Sequence, residues 1–316
     1  MNNSVEVSVV APMYNEEKCV HEFVSRVITS LAEVSFEIIL VDDGSTDKTA
    51  RMLDGLSKGD KRIRYISLSR NRGQSMAVYC GFQHSSGKYV VMMDGDLQNR
   101  PEDILTLVEK AKEGFDLVSG LRSGRKESLL IRRIPSMVAN WLIRSATGCQ
   151  VKDMGGFKCL KGDVARNIHF RNGYHRLLPA LTHTMGGSTT EIPVEHAERA
   201  GGVSKYGTVS RMIDVVFDII MLWFLNASKS RPLYLFGKLS IIQLFFSGII
   251  FIWLLVSKFV YGEDIGGRPL FFLDLVLFGT GLLTMCMGIL SELIVEIHGG
   301  FRDSKPYIVK YDSYKN

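Results

Sequence analysis

Asp94 and Asp96 stand two residues apart in Met93-Asp94-Gly95-Asp96-Leu97-Gln98, directly after the apolar run Tyr89–Met93. Two carboxylates at that spacing on a turn can converge on one hard divalent cation. Mg2+ or Mn2+ bridging them to a diphosphate is the chemistry such a pair serves. Gln98 brings a further oxygen within reach. Two more acidic, turn-forming segments follow apolar runs: Pro12-Met13-Tyr14-Asn15-Glu16-Glu17 after Val5–Ala11, and Asp42-Asp43-Gly44-Ser45-Thr46-Asp47 after Phe36–Val41. Either one alone reads as turn formers that end a strand and cap a helix. Together they put three acidic strand ends on one sheet edge, where they repel one another unless a cation or ligand sits among them.

The elements that must hold these residues alternate regularly. Strands are expected at Val5–Ala11, Phe36–Val41, Arg64–Leu68, Tyr89–Met93 and Asp116–Ser119. Helices are expected at Glu17–Leu31, Thr46–Leu56, Gln74–His84 and Pro101–Lys112, with Thr46 as an N-cap and Pro101 in a first turn. Alternating βα units imply a doubly wound, mostly parallel sheet, which binds ligands at the carboxyl ends of its strands. The acidic motifs fall at those ends. Leu121-Arg122-Ser123-Gly124-Arg125-Lys126, after the fifth expected strand, offers Arg122 and Arg125 to a phosphate. Arg199, Ser204 and Lys205 form a second cationic loop, suited to closing over phosphate groups, although a plain helix-leading turn explains it too.

Composition narrows the class. The 316 residues carry 38 basic and 33 acidic side chains, a net charge of +5, and 46% are hydrophobic. This mild basic excess suits an anionic surface or phosphorylated ligand; with no dense basic block, it does not mark a nucleic-acid binder. The five cysteines are scattered, as expected for reduced thiols. The start of the chain runs straight into a strand pattern, so no signal peptide is expected and the first domain should fold in the cytoplasm.

Two apolar runs follow, Leu239–Ser257 and Leu270–Ser291, the second interrupted only by Asp274. Each approaches the ~20 residues that cross a bilayer. Lys229, Arg231 and Lys238 on one side and Arg302, Lys305 and Lys310 on the other place both ends inside. Glu292 and Glu296, at the inner end of the second run, read as capping or inter-subunit pairing groups. Thr208–Asn226 reads as an amphipathic helix able to lie in the interface, or to pack on the catalytic domain. The expected division is a catalytic domain over 1–207, a juxtamembrane helix and linker over 208–232, a transmembrane hairpin over 233–294 and a cytoplasmic tail over 295–316.

The three acidic motifs resemble those of the family 2 glycosyltransferases of GT-A fold, and within them the polyprenyl-phosphate glycosyltransferases. The resemblance continues through Val151-Lys152-Asp153-Met154-Gly155-Gly156-Phe157-Lys158, Arg199–Tyr206, Gly288–Glu292 and Lys305-Pro306-Tyr307, covering nearly the whole chain. It implies that Pro12, Tyr14, Glu16 and one or both of Asp42 and Asp43 hold the nucleoside. Asp94, with Gly95 in the same turn, would sit by the ribose and diphosphate, and Asp96, assisted by Gln98, would bind Mg2+ or Mn2+. Gln74 departs from the lysine of some members, which leaves a charge contact to the diphosphate there open. Asp153 falls where the family places a carboxylate near the acceptor. Because a phosphate acceptor is already an anion near neutral pH, Asp153 is expected to position it, or to stabilise positive charge developing on the sugar, rather than to remove a proton.

The implied reaction is inverting transfer of a hexose, with UDP-glucose as first expectation, to undecaprenyl phosphate at the cytoplasmic face of a bacterial inner membrane. UDP-GlcNAc, GDP-mannose and aminoarabinose donors use nearly the same framework. A processive polysaccharide synthase would show a QxxRW segment and more spans, and an inert scaffold would not need the Asp94/Asp96 pair. The spans and the apolar helix are compatible with a homo-oligomer.

Overall fold

The computed structural model describes residues 5–123, 148–151, 155–168, 173–195, 232–300 and 309–313. These fall into two compact units: one built from the long amino-terminal part together with the last residues (Lys305–Asn316), the other spanning Trp223–Ser304. The expected helix Thr208–Asn226 lies outside the described residues, as do Asp153, Arg125, Arg199, Ser204 and Lys205.

The first unit is organised on an eight-stranded sheet. Its strands are β1 (Val7–Met13), β2 (Phe36–Asp42), β3 (Ile63–Leu68), β4 (Tyr89–Met92), β5 (Leu117–Ser123), β6 (Lys158–Lys161), β7 (Thr189–Glu195) and β8 (Val309–Asp312), in the order β7-β5-β6-β4-β1-β2-β3-β8. The centre, β4-β1-β2-β3, is parallel as the βα alternation requires. β6 enters antiparallel between β4 and β5, and β7 runs parallel to β5, so the sheet is mixed. Every residue of β2 is buried, because helices cover both faces and leave no room for an alternating polar side.

Two cores follow. On one face α1 (Val20–Ser30) buries Val20, Phe23, Val24 and Val27, a helical stripe, against Val7, Val9 and Ala11 of β1. Leu53 of α2 (Thr49–Gly59) and Ile104, Leu107 and Val108 of α4 (Ile104–Lys112) complete it. On the other face Val10, Ile39, Val41 and Ile66 meet α3 (Gln74–Gln83), α5 (Gly162–Asn167) and α6 (Leu178–Thr184). Pro101 does begin the first turn of a short 3-10 segment, Pro101–Asp103, that leads into α4. Thr46 does not cap α2: its amide and hydroxyl turn to Asn15, and the Asp47 carboxylate accepts the Thr49 N–H instead. A further correction concerns Arg122. It lies within β5, which runs on to Ser123, rather than in a loop after the strand.

The second unit contains α7 (Pro232–Phe259) and α8 (Pro269–Gly300), with mean hydropathy of 2.4 and 2.0 over their membrane-length segments. Phe245, Phe246, Ile249, Ile252, Trp253, Val276, Leu283 and Leu290 all point outward, the reverse of a soluble core. The contacts between the helices are small and polar. Ser247 donates to Asp274 (2.6 Å), Ser240 to the Gly281 carbonyl (2.8 Å), and Glu292 accepts the Leu233 amide (3.2 Å), the expected capping role. Gly281 and Gly288 leave room for Leu244, Leu233 and Phe236 to approach. Lys238 lies inside α7 rather than ahead of it, exposed in the second turn, where its stem can reach toward the interface.

The chain returns after α8 to add β8 antiparallel to β3, pairing Ile66 with Asp312 and Leu68 with Val309. Ser313 extends the seam, accepting the Tyr65 N–H (2.9 Å) and donating its own to the Tyr65 carbonyl (3.0 Å). Without β8, β3 would be a bare edge. Ending the chain at Ser304 is therefore expected to lower the melting temperature in detergent by about 2–8 °C and to promote aggregation, followed by calorimetry and light scattering. Unchanged melting and a monodisperse product would show that β3 needs no partner.

Candidate active site

The site is assembled where β1, β2 and β4 end. Their parallel register brings Met13 beside Asp42, and the Asp43 N–H donates to the Met13 carbonyl (2.9 Å), so the turns after β1 and β2 share one rim. They are stitched together. The Asn15 N–H donates to Ser45 Oγ (3.0 Å), Asn15 Oδ1 accepts the Thr46 N–H (2.8 Å), and the Glu16 N–H donates to Thr49 Oγ1 (2.9 Å). Asn15 holds a left-handed backbone, φ 55°, a conformation asparagine tolerates better than most residues. Pro12 and Glu16 are half-buried on this rim, and Tyr14 is 42% exposed, leaving its ring open to solvent.

Asp42 and Asp43 are both buried and their first task is internal. Asp42 accepts the Ser45 N–H (3.0 Å) and closes its own turn. Asp43 takes the amides of Arg72 (2.7 Å) and Gly73 (2.8 Å), clamping the loop between β3 and α3. That loop passes so close to Gly44 that a Cβ there would lie 2.8 Å from the Asn71 nitrogen. Burial raises the Asp43 pKa against the opposing pull of those two amides.

The clamped loop sets the start of α3, and from it Gln74 Nε2 donates to Asp94 Oδ1 (2.6 Å). Gly156 presses on the opposite oxygen, where a Cβ would stand 2.7 Å from Asp94 Oδ2. Asp94 is thus held on both sides. Its pKa is pushed up to about 6, by burial first and then by Asp96, against the opposing fields of Lys158 and Arg122 and the Gln74 hydrogen bond. Asp96 accepts the Gln98 N–H on Oδ1 (3.2 Å), which folds the turn through Leu97 at φ 61°, and Gly95 is packed against the Met13 sulfur.

Gly156 and Lys158 belong to the segment leading into β6. Antiparallel insertion pairs Lys158 with Met92 of β4 and Ser119 of β5, so the amino end of β6 meets the carboxyl end of β4. Lys158 closes the Val151–Lys158 motif, where its residue type alone gives it no role. The signal was a lysine inside an apolar strand pattern, fully buried here.

The donor set fits a hard divalent cation. It consists of oxygens, and Asp96 raises the pKa of Asp94, a repulsion that positive charge relieves. Among the described residues no cluster of three or more His, Cys, Asp and Glu is poised for a metal. Two carboxylates completed by ligand phosphates is the Mg2+ pattern rather than an all-protein cage.

The family model described as glycosyl transferase family 2 matches residues 8–176. The dodecaprenyl-phosphate galacturonate synthase of Rhizobium johnstonii is 36% identical across 97% of this chain and 93% of its own length. The undecaprenyl-phosphate 4-deoxy-4-formamido-L-arabinose transferase of Klebsiella pneumoniae is 35% identical across 96% and 93%. Among solved structures, glucosyl-3-phosphoglycerate synthase from Mycobacterium tuberculosis, in complex with Mn2+, UDP and phosphoglyceric acid, superposes with a TM-score of 0.54. It is 21% identical over 70% of this chain and 78% of its own, which shows a shared fold.

Two substitutions test the grip on Asp94. A carboxyl whose pKa is higher folded than unfolded binds more protons in the native state, so stability falls as pH rises from about 4 to about 6. Asp94→Asn removes that burden and is expected to stabilise the ligand-free protein at pH 7–8 by on the order of 1–2 kcal/mol, allowing for screening at a partly open site. The gain should vanish near pH 4, which melting curves across the range would show; a gain equal at every pH would refute the electrostatic cause. Gly156→Ala should displace the carboxylate and reduce kcat/KM about 100-fold with little change in melting temperature. Retention of near-full activity would show that the contact has slack.

Proposed function

Since the chain belongs to glycosyl transferase family 2 and is a glycosyltransferase, we propose that it moves a sugar from a nucleoside-diphosphate donor to a polyprenyl phosphate at the membrane surface. One observation carries the reading. The Asp94/Asp96 turn, with Gln74 at Asp94 and the field of Arg122 upon it, shares a chain with two outward-apolar helices of 28 and 32 residues. A water-soluble acceptor gives no reason for those helices; a lipid-tailed one does. The names of the relatives aligned over nearly their full length point the same way.

The roles follow from charge. Tyr14 and the Pro12–Glu16 rim take the nucleoside, while Asp42 and Asp43 fix the walls that hold it. Asp94 and Asp96, with Gln98, face the diphosphate. Mg2+ or Mn2+ bound there would neutralise the charge that builds on the leaving diphosphate; structures of the M. tuberculosis synthase include one with Mn2+ and one with Mg2+. Arg122 adds a fixed positive field as the sugar–oxygen bond breaks. The acceptor phosphate oxygen attacks the anomeric carbon from the face opposite the leaving group, inverting it. Arg122, Arg125, Arg199, Ser204 and Lys205 receive the phosphate, and Asp153 orients it.

The donor is UDP-linked in this reading, and its sugar is a uronate or a 4-formamido pentose in preference to the glucose first expected. The support is the pair of named activities among relatives 35–36% identical. The enzyme works in a bacterial inner membrane with its catalytic unit and both termini in the cytoplasm. β8 supports a shared side for the two ends: the chain beyond α8 joins the same sheet as β1, so an even number of crossings separates them.

The test is transfer to undecaprenyl phosphate in detergent, with UDP-galacturonate, UDP-4-formamido-arabinose, UDP-glucose and UDP-GlcNAc, read by mass spectrometry of the lipid product. One of the first two should exceed UDP-glucose at least ~10-fold, the discrimination one or two lost contacts produce. EDTA should abolish turnover, and Asp96→Asn should lower kcat by roughly 100- to 1,000-fold. Best turnover with UDP-glucose would overturn the donor assignment. No transfer from any of the donors, or turnover indifferent to EDTA, would overturn the mechanism.

A further inference from the structure

Lys158 is completely buried, Ser75 is 2% exposed and His175 is 8% exposed, and none of the three belongs to the roles above. They lie on separate elements. Ser75 is in the first turn of α3, His175 in the short 3-10 turn Tyr174–Leu177, and Lys158 at the head of β6. The Lys158 ammonium donates to the carbonyl of Gly155 and to that of His175 (3.3 Å). Ser75 Oγ receives the Gly173 N–H (2.9 Å) and lies 2.6 Å from His175 Nδ1. His175 is held neutral, its pKa lowered to about 3 by burial first and then by Lys158 and Arg176. The Ser75 hydroxyl has one donor and two acceptor sites, so it can hold the Gly173 N–H and still bond Nδ1 of the neutral ring in either tautomer.

Followed around, these hydrogen bonds, two steps along the backbone and the close approach of Gly156 trace a path that begins and ends at one carboxylate. Gln74 bonds Asp94 Oδ1 from α3, and its neighbour Ser75 is tied to His175. The His175 carbonyl is tied to Lys158, Lys158 to Gly155, and the next residue, Gly156, runs close enough to Asp94 Oδ2 that an added Cβ would stand 2.7 Å from it. We propose that Lys158, His175 and Ser75 are positioning residues that lock α3 and the Gly155–Gly156 turn together, and so set the aim of the Asp94 carboxylate toward the divalent cation and diphosphate. The inference rests on the reading of Asp94 and Asp96 given above. A buried ammonium is costly unless its protons are used and its charge is met. Here two protons hold the turns and the charge acts on Asp94, so both needs are answered at the place where aim matters.

Outer partners of metal-binding groups typically change affinity about 10- to 100-fold when lost. The experiment titrates Mn2+ into the full-length protein in detergent with UDP present, following loss of the free-ion signal by electron paramagnetic resonance, alongside thermal melting. Lys158→Met should weaken Mn2+ binding at least ~10-fold. Ser75→Ala, a smaller change that decides the matter if the lysine variant does not fold, should weaken it roughly 3- to 10-fold, one lost hydrogen bond's worth. His175→Asn keeps a hydrogen-bonding amide near the Nδ1 position and should stay within about 3-fold of the unsubstituted protein, whereas His175→Leu should match Ser75→Ala. Variants that fold and bind Mn2+ as the unsubstituted protein does would overturn the locking role and leave the reading of the acidic pair intact. If the unsubstituted protein itself takes up no Mn2+, the reading of the pair fails and the positioning role falls with it.

Discussion

The Asp94 carboxylate sits where a carboxylate is least comfortable: largely enclosed, next to a second acid, and gripped so that it cannot turn away. Burial and Asp96 favour its protonation, Lys158, Gln74 and Arg122 favour the anion, and the first set prevails, pushing its pKa up to about 6. Such a group gains more from positive charge than a solvated carboxylate would, because its own desolvation cost is already met in the folded protein. The surroundings make sense as the means of keeping it there.

Keeping it there takes most of the loop structure on that edge of the sheet. Asp43 clamps the Arg72–Gly73 amides, which sets the start of α3, which delivers Gln74. The turns after β1 and β2 brace each other through Asn15, Ser45 and Thr49, and left-handed residues at Asn15 and Leu97 mark where the backbone yields to that geometry. These are positions where local preference and global arrangement disagree, as is common at functional sites. Asp42 and Asp43 show how one residue type serves two ends: acids at strand tips are first scaffold, and only through scaffold become part of a binding surface.

The helical pair follows a different logic. With apolar surroundings outside, burying more apolar surface between α7 and α8 gains little, so small residues and hydrogen bonds specify how they meet. Ser240, Ser247, Asp274, Gly281 and Gly288 supply both. The catalytic unit, by contrast, is held by two ordinary apolar cores on either face of its sheet. Its far edge is closed by β8, a strand contributed from beyond the helices.

Much of this was legible in the residues alone. Apolar runs and the amphipathic stretches between them placed β1 to β4 and α1 to α4 within a few positions, because a strand covered on both faces is apolar throughout and a covering helix mostly on the side it buries. The acidic tips and the apolar runs announced themselves by composition, and the two apolar runs proved to be long, outward-apolar helices. What the sequence could not show depended on partners distant along the chain. β8 pairs with β3 across some 240 residues, and four residues carry too little pattern to declare a strand without their partner. Thr46 bonds to Asn15 instead of capping its own helix, and Arg122 extends a strand that looked finished, both because a neighbouring element offered the better hydrogen bonds. Lys158 reads as an ordinary basic residue until antiparallel insertion of β6 buries it beside β4. Residue type and spacing determined which groups were available for chemistry; the folded arrangement decided which of them touch, since contact among groups far apart in the chain is a property of packing and not of any local stretch.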